Sequence, residues 1–175
     1  GRVKRNTVKR AVMTTPYGVT QRGIRDQFIG DKHTKGAEKP GAAAEYLKVA
    51  VYDAVGQVVI KARELMDWLR EVTRIASLAG IPVSWETPTG MVVTQQYLQE
   101  NTVRIATHLQ EIHLRQVSPE RTLVPTKQVR GIPPNFVHSY DAAHMFLTAN
   151  YGFDRGMTAF MPVHDSFATH AGDAT

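Results

Sequence analysis

Two hydrophobic periods meet at Gly80, and the change between them limits the chain to a fold that mixes helices with antiparallel strands. From about Ala42 to Ala79, Leu47, Val51, Val55, Val58, Val59, Ala62, Leu65, Met66, Leu69 and Val72 recur at the spacing of one helix face. A stripe of this kind predicts core, so the segment reads as scaffold, with Gly56 as the point where it divides into two helices and Gly80 as its cap. Beyond Ile81 the period falls to two. Pro82 to Glu86, a turn at Thr87-Pro88-Thr89-Gly90, and Met91 to Thr94 predict a hairpin. A second pair of strands is expected over about 102–117, where Val103, Ile105, Thr107 and Leu109 alternate with Arg104, Ala106, His108 and Gln110, and then Ile112 and Leu114 with His113 and Arg115. The expected class is α+β.

The chain has 175 residues, 42% hydrophobic and 21% charged, which supports a packed core and argues against wholesale disorder. Without cysteine it has no disulfides and no thiolate chemistry. No apolar run reaches membrane-spanning length and no signal peptide is visible. Lys and Arg outnumber Asp and Glu by 21 to 16, and Arg2, Lys4, Arg5, Lys9 and Arg10 crowd the first ten residues. Such crowding suits phosphates, and it also suits a solvated helix face. Because the sequence opens at Gly1 inside a charged amphipathic segment, a piece of a longer protein is expected.

Residues 2–15 predict a helix on which Arg5, Lys9 and Met13 fall four apart, ended or kinked at Pro16 and followed by Tyr17-Gly18. Thr20 reads as the cap of a second helix through Ile24 and Phe28, and residues 30–41 as a polar, glycine-rich loop. Two cations one turn apart can bind the phosphates of a triphosphate, while an aromatic at the helix end can pack on a base or sugar. A basic surface helix followed by an ordinary turn has the same spacing.

The ribbon at 102–117 could enter a DNA major groove, presenting Arg104, His108, Gln110, His113 and Arg115 to base edges; packing against neighbouring elements explains it equally well. Farther on, Ser139 is a plausible cap for a helix ending near Tyr151-Gly152, with Asp141 at its positive end. Capping and packing account for His138, Asp141 and His144 better than a metal does. Phe160 to Thr169 reads as strand, tight turn at His164-Asp165-Ser166, and returning strand. Two buried arms would hold the Asp165 carboxylate at a fixed point, as a catalytic metal requires. Asp is also an ordinary turn residue.

Four stretches in order carry a resemblance. Lys9-Arg10-Ala11-Val12-Met13-Thr14-Thr15-Pro16-Tyr17-Gly18-Val19-Thr20 closely resembles the fingers helix of the single-subunit RNA polymerases of bacteriophages and mitochondria. The spacing Trp85-x-Thr87-Pro88-x-Gly90-x-Val92-Val93-x-Gln95-x-Tyr97, then Pro134-Asn135-Phe136-Val137-His138-Ser139-x-Asp141-x-x-His144, then His164-Asp165-Ser166 resemble the same family in the same order.

The resemblance implies a mainly helical fingers subdomain with β-hairpins over 1–125, joined over 126–175 to part of a right-hand polymerase palm. It further implies DNA-templated RNA synthesis in which Asp165 is one of two carboxylates holding a pair of Mg²⁺ ions. Arg5 and Lys9 would bind nucleotide phosphates, Tyr17 would sit by the sugar and help choose ribose, and Met13 and Gly18 would line the pocket. His164 would support the hairpin and approach the ribose. The implied catalytic set is Asp165, Lys9 and Tyr17. Implied partners are a DNA template and promoter, nascent RNA and ribonucleoside triphosphates, with no membrane, in a monomeric parent enzyme. The implied compartment is the cytoplasm of a phage-infected bacterium or, alternatively, the mitochondrial matrix. The ribbon stands where phage enzymes read their promoter, a likeness of position only. The family's first metal-binding Asp lies upstream of the fingers helix, before this sequence starts, so the chain by itself is expected to be inactive.

Three rivals are open. A family A DNA polymerase shares the Arg/Lys/Tyr-Gly helix but usually has an aromatic where Met13 stands and Glu where Ser166 stands. An HD-type phosphohydrolase would use His138, His164, Asp165 and Asp173 and would want its His-Asp pair on a helix. A non-enzymatic basic nucleic-acid-binding module would use residues 1–25 and 102–117.

Overall fold

The computed structural model of the chain describes residues 4–163 and 165–173. The chain forms two compact units, Gly1–Glu71 and Val72–Thr175. Helices and small antiparallel sheets are both present, as an α+β chain requires.

The first unit is helical: α1 (Arg5–Thr14), α2 (Gln21–Gly30), α3 (Pro40–Val58) and the first turns of α4 (Ile60–Leu78). Its core is Ala11, Ile24, Phe28, Ala44, Val51 and Val55, with Val8, Val19 and Leu47 packed on it. Thr20 caps α2 as expected, its hydroxyl accepting the Gly23 N–H at 3.2 Å. The helix expected over 2–15 runs from Arg5 to Thr14 among the described residues.

The long scaffold divides at Val59, three residues after the expected Gly56. Val59 has ψ 47°, outside the helical range, in the β-branched run Val58-Val59-Ile60, where each side chain loses rotamer freedom against the preceding turn. Gly56 has a different use. A Cβ there would stand 1.8 Å from Arg63 Nη1. The missing side chain admits the Arg63 guanidinium, which lies 4.0 Å from the Tyr52 ring centroid and donates to the Tyr52 carbonyl at 3.4 Å. Val58, assigned to the core stripe by its spacing, is 83% exposed.

The second unit begins in the last turns of α4, which Gly80 caps as expected, with the Ile81 N–H donating to the Ala76 carbonyl at 2.9 Å. β1 (Val83–Glu86) and β2 (Val92–Gln95) form the first hairpin, registered Trp85 to Val93. β3 (Glu100–Ala106) and β4 (Glu111–Val117) form the ribbon. α5 (Pro125–Asp154) follows, then β5 (Met161–Val163), β6 (Ser166–Ala168) and a short 3₁₀ turn, Ala171–Asp173.

Ser139 does not cap a helix. It lies within the 30 residues of α5, which continues through Pro133 and Pro134. A proline inside a helix costs about 3 kcal/mol in lost bonding and steric conflict. Packing and side-chain bonds offset that cost here. Gln128, Ile132 and Pro133 are fully buried. The Gln95 amide donates to the Gln128 carbonyl and side-chain oxygen, each at 2.8 Å, and Gln128 returns a bond to the Gln95 carbonyl at 3.1 Å. Asn135 donates to Gln95 Oε1 at 2.8 Å and to the Tyr97 hydroxyl at 3.0 Å. Ser139 Oγ instead accepts the Trp85 indole N–H at 2.8 Å and donates to the Phe136 carbonyl at 2.7 Å. Asp141 is therefore in mid-helix, away from the positive end of the dipole.

Removing one partner from such a network leaves buried amide groups unsatisfied, at about 1–3 kcal/mol. Gln95→Ala is expected to lower unfolding free energy by about 2–3 kcal/mol in urea titration; an unchanged midpoint would show that this network does not hold the first hairpin to α5.

Candidate active site

In the first unit, α1 is anchored on one side and open on the other. Ala11 is buried at 1%, while Arg5, Lys9, Met13 and Tyr17 are exposed along successive i, i+4 positions. Arg10 is engaged, donating to Asp31 at 2.6 Å, whereas Arg5 and Lys9 have no ion-pair partner among the described residues. Two unpaired cations one turn apart make a site for an extended polyanion.

The helix ends at Thr14, just before Pro16 as expected, and its end is closed by backbone bonds. The Val19 N–H donates to the Thr14 carbonyl at 3.2 Å and the Gly18 N–H to the Thr15 carbonyl at 2.9 Å, a Schellman closure with Gly18 at φ 79°. Tyr17 thus occupies a fixed position at the helix end. Thr14 Oγ1 accepts from the Gln27 amide at 3.1 Å, tying that end to α2. The positive φ explains why glycine follows Tyr17, since a side chain there would be strained.

In the second unit, Asp165 is exposed in the turn between β5 and β6, whose register pairs Val163 with Ser166. The predicted hairpin is present, but its arms are not buried: Met161 and Val163 are 61% and 54% exposed. Strands of three residues have too few cross-strand neighbours to cover one another. His164 lies outside the described residues. What holds the hairpin is at its base. The Phe167 ring lies 5.3 Å from Phe160 and 6.0 Å from His144, centroid to centroid. Thr169 Oγ1 donates to the Ala159 carbonyl at 2.7 Å, and Asp173 Oδ2 accepts both the N–H and the hydroxyl of Thr158 at 3.0 Å. Bonds from the Thr158 backbone and hydroxyl hold the Asp173 carboxyl below its ordinary value.

The His138, Asp141 and His144 positions all lie on α5, and no group of three His, Cys, Asp or Glu able to hold a metal occurs among the described residues. Asp165 is a hard-oxygen donor open to solvent. It fits Mg²⁺ as one carboxylate of a site completed by water and substrate phosphates. The phosphohydrolase alternative loses support, because Asp165 sits in a hairpin turn and Asp173 is engaged by Thr158.

The first strand is offset from its sequence pattern, running from Glu100 to Ala106, and His108 and Gln110 belong to the tip, where Thr107 donates to the Gln110 carbonyl. Register places Val103 opposite Leu114 and Ile105 opposite Ile112 on one face, with Arg104 opposite His113 and Thr102 opposite Arg115 on the other. Both faces are open to solvent in the second unit. Arg104 bonds to Glu111, and His113 Nε2 lies 3.0 Å from Glu111 Oε1. Sequence reading missed Glu111 as the countercharge for two proposed DNA readers. It also missed the bond between Thr158 and Asp173, the latter entering only as a ligand of the phosphohydrolase alternative, since polar residues 15 positions apart share no periodic signal.

The sequence profile of the DNA-dependent RNA polymerase family matches residues 1–175. The chain is 38% identical over 177 residues to the mouse (Mus musculus) mitochondrial DNA-directed RNA polymerase, covering 99% of this chain and 15% of that protein. It is 38% identical over 176 residues to DNA-directed RNA polymerase 2, chloroplastic/mitochondrial, of Arabidopsis thaliana, covering 98% of this chain and 17% of that one. DNA-directed RNA polymerase 2A of Nicotiana tabacum is 40% identical over 176 residues, 98% of this chain and 52% of that protein. The chain thus spans about a sixth of the length of the mouse and Arabidopsis relatives.

Two measurements follow from these geometries. Gly18→Ala forces a side chain into the left-handed region and is expected to cost roughly 1–2 kcal/mol in thermal or urea unfolding; no loss would contradict the Schellman closure. Because the folded Asp173 pKa is depressed, its bonds to Thr158 are present above the ordinary carboxylate range and are lost as pH falls through the depressed value. Hydrogen exchange, corrected for its intrinsic pH dependence, is expected to show unchanged Thr158 protection between neutral and mildly acidic pH. A decline already under way near neutrality would contradict the assignment.

Proposed function

The chain belongs to the DNA-dependent RNA polymerase family, and on that premise we propose that it supplies both the nucleotide-binding helix and one metal-binding carboxylate for DNA-templated RNA synthesis by a longer polymerase. The observation that carries this reading is the exposed ridge Arg5, Lys9, Met13, Tyr17, ended by Gly18. In this proposal residues 1–125 are fingers and 126–175 are part of a right-hand palm.

The reaction joins the RNA 3′-oxygen to the α-phosphorus of a ribonucleoside triphosphate and breaks the bond to the β-phosphate, so charge accumulates on departing pyrophosphate. Lys9 and Arg5 neutralise that charge and align the triphosphate along α1. Met13 and Gly18 shape the pocket, and Tyr17, fixed at the helix end, packs by the sugar and favours ribose. Asp165 would be one carboxylate holding Mg²⁺, which when bound would supply activation of the 3′-hydroxyl and stabilisation of the leaving group. The role expected of His164 falls on a residue outside the described ones.

The ribbon residues Arg104, His108, Gln110, His113 and Arg115 are proposed to face promoter DNA; Arg104 and His113 would first have to exchange Glu111 for a base edge. The remaining partners are template, nascent RNA and ribonucleotides, in a monomeric parent. No described helix is long and apolar enough to cross a membrane. The relatives' names place them in mitochondria or chloroplasts, which supports the mitochondrial matrix over a phage-infected bacterium. Those names also favour RNA synthesis over a family A DNA polymerase or a non-catalytic binding module.

In the polymerase carrying this chain, Asp165→Ala is expected to abolish nucleotide addition while template binding persists. Lys9→Ala is expected to slow incorporation by about 10²-fold or more, as loss of a transition-state cation does. Tyr17→Phe is expected to relax the choice of ribose over deoxyribose. Wild-type extension by the Asp165 variant, measured with a primed template, would overturn the metal-ligand role. An unchanged rNTP/dNTP ratio would remove Tyr17 from sugar selection.

A further inference from the structure

We propose that Asp173 is a positioning residue for the Asp165 hairpin, acting through Thr158; this rests on the polymerase reading above. The need for such a residue follows from the hairpin itself. A two-stranded sheet with three-residue arms is marginal alone, and Met161 and Val163 are largely exposed, so the sheet cannot by itself keep the carboxylate in its turn stationary. Metal-assisted phosphoryl transfer requires the ligand to be held within about 0.5 Å.

The chain entering and leaving the hairpin is fixed in three successive places. α5 ends in a Schellman closure, the Met157 N–H donating to the Gly152 carbonyl at 3.0 Å and the Gly156 N–H to the Phe153 carbonyl at 2.9 Å. Thr158, next along, gives its N–H and hydroxyl to one oxygen of Asp173, each at 3.0 Å. Thr169, just past β6, then donates to the Ala159 carbonyl at 2.7 Å, beyond the last paired residues Met161 and Ala168. The Asp173 carboxylate is itself set by the 3₁₀ turn, its N–H donating to the His170 carbonyl at 2.9 Å. Thus the segments on both sides of β5 and β6 are joined to each other and to the end of α5. Among these fastenings, Asp173 accepts two charge-assisted bonds on one oxygen.

The test uses the full polymerase carrying this chain, with active sites counted by burst amplitude so that misfolded enzyme does not enter the rate. Asp173→Ala is expected to lower kcat per active site by about 10- to 100-fold, the effect of a small misplacement of a catalytic group, with KM for rNTP changed by less than about threefold. Asp173→Asn keeps an acceptor oxygen and is expected to stay within about threefold of wild type in kcat. Thr158→Val, which retains one of the two bonds, falls between them. Hydrogen exchange should show the Thr158 amide exposed in Asp173→Ala and protected in Asp173→Asn. A wild-type kcat with that amide exposed, or an Asn variant as slow as Ala, overturns the proposal. If Asp173→Ala does not fold, Thr158→Val decides: a wild-type rate overturns the proposal, and a slowed rate with near-normal Asp173→Asn supports it. Failure of the underlying reading is distinguishable, because Asp165→Ala, run in parallel, would then retain extension.

Discussion

A carboxylate that serves a metal must be stationary, and the smallest sheet a chain can make does not hold itself still. On the proposed reading of Asp165, that constraint organises the second unit. Asp165 occupies the turn of a hairpin with solvent on its arms, and its fixity is transferred to the base: rings of Phe160, Phe167 and His144 on one side, bonds among Thr158, Ala159, Thr169 and Asp173 on the other. α5 is the beam to which this base is fastened. It runs unbroken across two prolines because Gln95, Gln128, Asn135 and Tyr97 satisfy one another around its buried start.

The first unit meets a parallel demand by other means. The proposed nucleotide-binding ridge has to be open, so it cannot be held by burying its own side chains. Burial is left to Ala11 and the α2 and α3 face, and the exposed end is locked by backbone bonds at Gly18 and by the Gln27 bond to Thr14. The same helix separates its cations by use: Arg10 is engaged by Asp31, while Arg5 and Lys9 remain available to a polyanion.

Elements with strong periods were legible in the sequence. The helices of the first unit, the cap at Thr20, the hairpin after Gly80 and the strand-turn-strand around Asp165 all appear where their patterns put them. The misplacements share a physical cause, which is that tertiary contacts overrode local signals. Gly56 looked like a break but makes room for Arg63, and the break fell among β-branched residues at Val59. Ser139 looked like a cap, but it lies inside α5, where its hydroxyl accepts the Trp85 indole N–H. The ridge on α1 was readable because its residues lie four apart. The Thr158–Asp173 bond was not, because only the folded chain brings these residues together. The roles of ridge and hairpin in catalysis come from family membership and the chemistry of the side chains.

The central proposal is that the Asp165 turn holds a catalytic Mg²⁺. Localised cleavage tests it most directly: the polymerase carrying this chain is loaded with Fe²⁺ in place of Mg²⁺, given ascorbate, and its backbone cuts are mapped with and without rNTP. The account predicts cuts flanking Asp165 in both conditions, competed away by Mg²⁺. Cuts confined to other parts of the enzyme would contradict it.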